Sequence, residues 1–372
     1  MSKYTSEPMT EQPVESGRPV RTRNIGQDGH MVRTDERMPA FAALAKQTGG
    51  LYVEDENGMT IDAALSKAGL DFDVEQYEAP QVAVTTDDGI AWVDHPLYKM
   101  NVARHADGRL TPVGMVKGRY EVVQNRDAYA FAEIMLGEGG ANVAAAGSYG
   151  SPAGSRTYLA LALEPFTVGG VDEHQMFVTI LNSHDGTTGL VAALAPIRLT
   201  CTNQLGVWFG RGRLANKQRI SLRHTKNIEG RIEEARQVLG LADRWLENFQ
   251  KAADVLLDTS MTDAQFRRWT ETVWPKPKAD ASKRTQTVWS NRSDDLAALF
   301  ANAATNEFGR GTRYAAYNAV TEYLDWFAPV RGGDSPEVAR FTRTLDGDRD
   351  ELKARAFTSL VPESARKELM YA

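Results

Sequence analysis

From Ile228 to Leu256, apolar or small residues recur with a 4,3,4,3 spacing, at Ile228, Ile232, Ala235, Leu239, Ala242, Leu246, Phe249, Ala253 and Leu256. Four heptads of this kind place one continuous stripe on one face of a long helix, and no strand, with its two-residue alternation, could bury them together. The stripe therefore divides the chain. Gly230 and Gly240 weaken the helix, and the small residues suit close packing better than a self-standing coiled coil. Packing within the chain is the reading we adopt, with a neighbouring subunit as the alternative.

Upstream of the stripe the pattern is that of strands. Residues 82–85, 113–116, 156–163, 175–182, 190–200 and 218–223 are short β-rich runs, separated by Asp-Gly, Gly-Gly and Ser-Pro turn signals. Residues 125–136, with Tyr129, Ala132, Ile134 and Met135 among polar positions, predict one helix packed on that sheet. The Gly, Ala and Ser of 139–154 read as a mobile loop. Residues 38–79 read as a small helix and turns leading into the core. Downstream, Thr262 with Gln265 forms a capping box for a helix over 263–273, which Pro275 ends. Further helices are expected at about 280–304, 312–328 and 349–360. The aliphatic-poor first 38 residues predict a disordered tail. The expected division is thus a tail over 1–38, an α+β core over 39–257 and a helical C-terminal region over 258–372, the last of which we read as acidic.

Charge is unevenly spread. Residues 186–228 contain no Asp or Glu but carry Arg198, Arg211, Arg213, Lys217, Arg219, Arg223 and Lys226, in a chain of 49 acids and 43 bases. Clustered bases in an acidic protein fit a polyanion-binding surface; bases spread over separate faces would only balance neighbouring helices. Several other classes are disfavoured. The longest strongly apolar stretch, 190–197, is far too short to span a membrane, and the polar N-terminus lacks a signal-peptide core, so a cytoplasmic location is expected. Cys201 is the only cysteine and the six histidines are scattered, which leaves no expected metal site or cofactor. No GxxxxGK[ST] occurs. Asp346, Asp348 and Asp350 imitate a calcium loop, but Glu351 and Phe357 stand where Gly and Glu are needed. Ser183, His184 and Asp185 are contiguous in an expected turn, where adjacent side chains do not form a triad. No catalytic residue is assigned.

Three places carry the candidate interface. The junction over 196–205 ends a buried-looking strand in Thr200, Thr202 and Asn203, which could cap a following helix and hold an anion near Arg198, or serve only as a cap with Cys201 filling the core. Next, Trp208 and Phe209 are interleaved with Arg211, Arg213, Lys217 and Arg219, the mixture single-stranded nucleic acid needs for stacking and backbone contact; alternatively the two rings anchor a loop. A second patch, Lys117, Arg119 and Arg126 around Tyr120, either extends that groove or is a set of solvated turn charges. His224, after Arg223, reads as a structural hydrogen-bonding residue.

The segments 116–125, 197–205, 224–227 with the long helix, and 317–323 together resemble the phage/plasmid-related family built on domain of unknown function 932, over roughly residues 40 to 360. The resemblance implies a protein of mobile elements. A more distant similarity, to single-strand annealing proteins of the Redβ, RecT and Erf type, implies an α+β fold: a curved, mainly antiparallel sheet backed by helices and followed by a helical C-terminal region. It also implies ATP-independent binding and annealing of single-stranded DNA in recombination or replication, a homo-oligomer, and partnership with a phage exonuclease or host protein in the host-cell cytoplasm. In that reading the seven bases of 186–228 with Lys117 and Arg119 hold phosphates, and Trp208 or Tyr120 stacks bases. A non-enzymatic phage effector that binds a host protein is the alternative.

Overall fold

The computed structural model describes residues 37–53, 58–93, 96–137, 140–205, 219–221, 228–330, 335–363 and 365. The tail expected over 1–38 lies outside them, except for its last two positions. Helix α1 (Ala40–Thr48) leads into β1 (Leu51–Tyr52), α2 (Ile61–Lys67) and β2 (Asp73–Glu78). A hairpin follows, β3 (Val82–Thr86) and β4 (Gly89–Val93), then β5 (Tyr98–Arg104), β6 (Leu110–Lys117) and two short helices, α3 (Asn125–Tyr129) and α4 (Ala132–Gly137). Four long strands come next: β7 (Asn142–Tyr149), β8 (Arg156–Val168), β9 (Asp172–Ser183) and β10 (Val191–Arg198). Short strands β11 (Asn203–Gln204) and β12 (Arg219–Ser221) precede α5 (Ile228–Leu257), α6 (Asp263–Val273), α7 (Lys283–Asn302), α8 (Arg313–Glu322), α9 (Pro336–Asp346) and α10 (Asp350–Leu360). No described helix is long and apolar enough to cross a membrane.

The main sheet is antiparallel and curled, in the order β1-β7-β8-β9-β10-β11, with β12 also paired to β10. A three-stranded sheet, β2-β5-β6, and the separate β3-β4 hairpin complete the strands. The expected α+β class, with a helical C-terminal region, is what the chain forms. Register explains why both faces of the main sheet are buried. Leu161, Val178 and Leu194 stand side by side, as do Leu159, Ile180 and Ala192, and both rows face the large core containing α5 and α8. On the opposite face Ala162, Phe177 and Ala195 align beneath α1 and α9. Phe41 of α1 meets Phe177 edge-on at 4.7 Å, and Tyr158 Oη donates to the Phe41 carbonyl at 2.8 Å. A strand covered on two sides reads as a continuous apolar run, which is why 190–197 looked like one.

Of the heptad stripe, Ala235, Ala242, Phe249, Ala253 and Leu256 are buried inside the chain and Leu239 and Leu246 pack partly buried against the same core, while the side chains of Ile228 and Ile232 lie outside the described residues. Ala235, Val238, Ala242, Trp245, Phe249, Ala252 and Leu256 of α5 are buried, and Trp245 and Phe249 stack at 4.7 Å. Phe249 also stacks on Phe357 of α10 at 5.8 Å. One core thus joins residues on both sides of the expected boundary at 257/258. The capping box at Thr262 and Gln265 forms as read.

The loop expected over 139–154 is instead largely β7, whose residues from Val143 to Gly147 are buried. Its small residues have weak strand preference, but they let α1 and its exit approach closely. A Cβ on Gly50 would lie 2.5 Å from the Ala146 carbonyl oxygen. The single helix expected over 125–136 is two, broken at Ala130 and Phe131. Strands β2, β4 and β5 and helix α9 carried no signal we read.

Candidate nucleic-acid interface

Strand β10 pairs with β9 along one side and presents the other as the sheet's edge. Two short strands share that edge: β11 pairs with Ile197 and Arg198, and β12 with Val191, Ala192 and Ala193. Leu205 N–H donates to the Pro196 carbonyl at 2.9 Å, while Arg219 pairs with Ala193. These anchor points are three residues apart along β10, about 10 Å of strand. Residues 206–218 connect these two points. Trp208, Arg211, Arg213 and Lys217 belong to that segment, and Arg223 and Lys226 follow β12; all six lie outside the described residues. Arg219 is fixed by its backbone on β12.

A buried ion pair holds the departing end. Lys353 Nζ contacts Asp325 at 2.6 Å and donates to the Gln204 carbonyl at 2.7 Å, and Gln204 N–H donates to Asp325 Oδ2 at 2.9 Å. Strand β11 is thereby tied to α10 and to the π-helical turn Tyr323–Phe327 that follows α8. The second sequence patch lies at the connection between β9 and β10. Tyr120 Oη donates to the Ser183 carbonyl where β9 ends, and Gly114 of β6 rests so close to Asp185 that a Cβ there would lie 2.5 Å from its Cα. Lys117 and Arg119 are exposed on this corner, beside the connection that leads into β10, where a Cβ on Gly186 would lie 3.3 Å from Val116. Tyr120 is half-buried; burial and Asp185 raise its pKa to about 12, and its hydroxyl is committed to the backbone. It props the corner and is poorly placed to stack a base.

Arg198 does not belong to the surface. It is fully buried, and its Nε donates to Asp172 Oδ2 at 2.6 Å while Nη1 donates to the Thr305 carbonyl at 2.7 Å. Tyr314 Oη donates to the same Asp172 oxygen at 2.5 Å, and Thr200 Oγ1 to Oδ1 at 3.1 Å. A phosphate on a polynucleotide cannot reach a guanidinium enclosed in this way, so the expected phosphate contact at Arg198 is withdrawn. The pair joins β9 and β10 to the turn between α7 and α8 and to Tyr314 of α8. The helix expected after Thr200 is also replaced. Residues 199–202 form a tight turn between β10 and β11, with Thr202 at φ 54°, so Thr200, Thr202 and Asn203 cap no helix and make no anion site.

The remaining polar candidates are structural. Burial pushes the Cys201 thiol up to about 11 despite Arg198 beside it, which keeps it protonated and unreactive. His184 is buried and does not meet Ser183 as in a triad; its Nε2 bonds Asn125 Oδ1 at 3.0 Å. Asn125 Oδ1 also accepts from Thr157 Oγ1 at 2.9 Å, and Asn125 Nδ2 donates to the Leu70 carbonyl at 3.0 Å. Ser183 Oγ donates instead to Asp185 at 2.7 Å. Asp346 binds Arg156 at 2.8 Å, tying α9 to the sheet. Among the described residues no three His, Cys, Asp or Glu are grouped to hold a metal.

One charged surface was missed. Between Ala264 and Ser293 stand seven Lys or Arg against two acids, so the C-terminal region is not uniformly acidic as we read it. Arg268, Lys276, Lys278, Lys283 and Arg284 are exposed along α6, the Pro-containing connection and the start of α7. Lys276 lies over the Trp289 ring at 5.6 Å and Arg292 over Trp274 at 5.5 Å. A local charge count would have found this face.

Residues 112–345 match the family described as Domain of unknown function (DUF932). The chain belongs to that family. No curated protein and no solved structure matches the chain. The DUF932 span begins within β6 and closes near the end of α9, so it includes the β10 edge, both anchor points of 206–218 and the buried Arg198 cluster. The β3-β4 hairpin precedes it.

Proposed function

We propose that this DUF932 protein binds single-stranded DNA without ATP and promotes its annealing during recombination or replication of a phage or plasmid. The observation that carries the reading is that the described ends flanking 206–218, Leu205 and β12, both bond to β10. The connection between them is acid-free and carries three bases and two aromatic rings, and Lys117 and Arg119 are exposed near the turn that leads into β10. A polyanion would follow the bases while Trp208 stacks on its nucleobases. The curled antiparallel sheet with helices on it is compatible with the Redβ, RecT and Erf-type architecture to which the sequence has a distant similarity. Arg198 and Tyr120 drop out of the binding set; Arg211, Arg213, Lys217, Arg219, Arg223, Lys226, Lys117, Arg119 and Trp208 remain in it.

The test is a gel-shift titration with single- and double-stranded oligonucleotides over a range of salt, followed by annealing of complementary strands. Binding to the single strand should weaken steeply with salt. Replacing Arg211, Arg213 and Lys217 together with Ala should lower the log–log salt slope by about 2, since each single-strand phosphate contact contributes about 0.7. Affinity that is absent, or present but indifferent to salt and to these substitutions, rules the proposal out.

A further inference from the structure

We propose that the β3-β4 arm of one copy docks on the α6–α7 face of a second copy, joining this protein head to tail. This stands apart from the nucleic-acid reading and uses neither 206–218 nor the bases that follow β12.

The arm is a ribbon without a core. All ten residues of β3 and β4 are exposed. Register puts Val82, Val93, Val84 and Ala91 on one side and Trp92, Ala83, Ile90 and Thr85 on the other, so both sides are apolar. Ile90 is 69% exposed, Trp92 66% and Val82 63%. A lone two-stranded hairpin is marginal in water, and exposed strands are ordinarily guarded by Lys, Pro or a covering element. Here the strands contain none of these. Contiguous exposed apolar surface of this kind marks an interaction site.

Charge selects the partner. Between Ala68 and Tyr98 there are seven Asp or Glu and no Lys or Arg. Glu75 is already bonded to Arg104 at 2.7 Å, but Asp87 and Asp88 are exposed at the arm's tip. An acidic apolar ribbon repels nucleic acid and suits a basic surface with apolar ground between its charges. The same chain offers one in described, ordered residues: Lys276, Lys278, Lys283 and Arg284 are exposed around Pro275, with Val288 49% exposed on α7. The two surfaces differ from each other, so the contact is heterologous: each copy donates an arm and receives one, and the assembly grows as a ring or filament.

Light scattering on the purified, nucleic-acid-free full chain tests this. Wild type should assemble beyond one 41.0 kDa chain and lose mass as salt rises. Ile90→Glu with Trp92→Glu should yield a monomer, and so should Lys276→Glu, Lys278→Glu, Lys283→Glu and Arg284→Glu together, both with unchanged circular dichroism and with the melting of dilute, dissociated wild type. Mixing the two variants is decisive, because the intact arm of one meets the intact face of the other and assembly must stop at two chains. A monomeric wild type, either variant assembling like wild type, a mixture that stays monomeric, or a monomer that captures a host protein through the arm overturns the proposal. A gel-shift with the arm variant then reads the nucleic-acid proposal separately.

Discussion

Strands β8 to β10 and the β3-β4 arm have the same two-sided apolar chemistry and opposite surroundings. In the main sheet, rows such as Leu161, Val178 and Leu194 are covered by the large core, and the opposite row of Ala162, Phe177 and Ala195 by α1 and α9. In the arm, Val82 and Val93 on one side and Ile90 and Trp92 on the other are all more than half exposed. A strand that is apolar on both sides is completed by two covers. Among the described residues the chain supplies both for the sheet and neither for the arm, and that gap is what a second copy would fill. The sheet's covers are themselves locked in place by buried charge, so damage to the locks should be expensive and damage to the arm cheap.

The largest effect is expected at the lock between β9, β10 and the C-terminal helices. Asp172→Ala leaves Arg198 charged and enclosed, with Tyr314 losing its acceptor. Removing one partner of a buried pair costs about 3–5 kcal/mol. Urea unfolding should show that loss as a lower midpoint, and a midpoint within error of wild type would mean that the cluster does not hold the cover.

Acid should loosen the same layer. Burial lowers His174 and His184 from the ordinary 6.5 to about 4, so the folded chain keeps both neutral while the unfolded chain protonates them near pH 6.5. Their stabilising contribution is complete above pH 6.5 and is lost as the pH falls toward 4, by about 3 kcal/mol for each residue. Urea midpoints at a series of pH values check this, and His184→Gln should flatten part of the slope.

A smaller effect is expected where the three-stranded sheet meets the main one. A methyl at Gly114 would collide with the backbone of His184 and Asp185, neither of which is a flexible side-chain end. Gly114→Ala should destabilise by about 1–3 kcal/mol, as other overpacked sites do. Thermal melting that matches wild type would show that this corner yields freely.

The long helix, the strands at 156–163 and 175–182 and the capping box at Thr262 were legible because local pattern and tertiary burial agree there. Strand β7 was not, because Ala and Gly enter a sheet for closeness of packing and not for intrinsic preference. Arg198 was misplaced for a related reason. Its partners Asp172, Thr305 and Tyr314 lie 26, 107 and 116 residues away in sequence, so neighbouring bases suggested a surface when the fold supplied an acid. Tyr120 looked available for stacking until Ser183 took its hydroxyl. The exposure of the arm was equally invisible, since 82–85 has the composition of a strand in any sheet.

The smallest effect on folding belongs to the arm. Ile90→Glu with Trp92→Glu replaces exposed side chains that pack on no cover, and surface changes of this kind ordinarily alter stability by less than about 0.5 kcal/mol. The comparable change in the sheet, Val178→Glu, would bury a carboxylate with no partner among Leu161 and Leu194 and should prevent folding. Parallel melts of the two variants therefore measure how far the same strand chemistry depends on its covers. The arm variant should melt like the wild-type monomer at dilution, while at higher concentration the wild type alone gains the stability that association brings. An arm variant that unfolds at any concentration would place the arm among the folded chain's own supports and remove it from the surface available to a second copy.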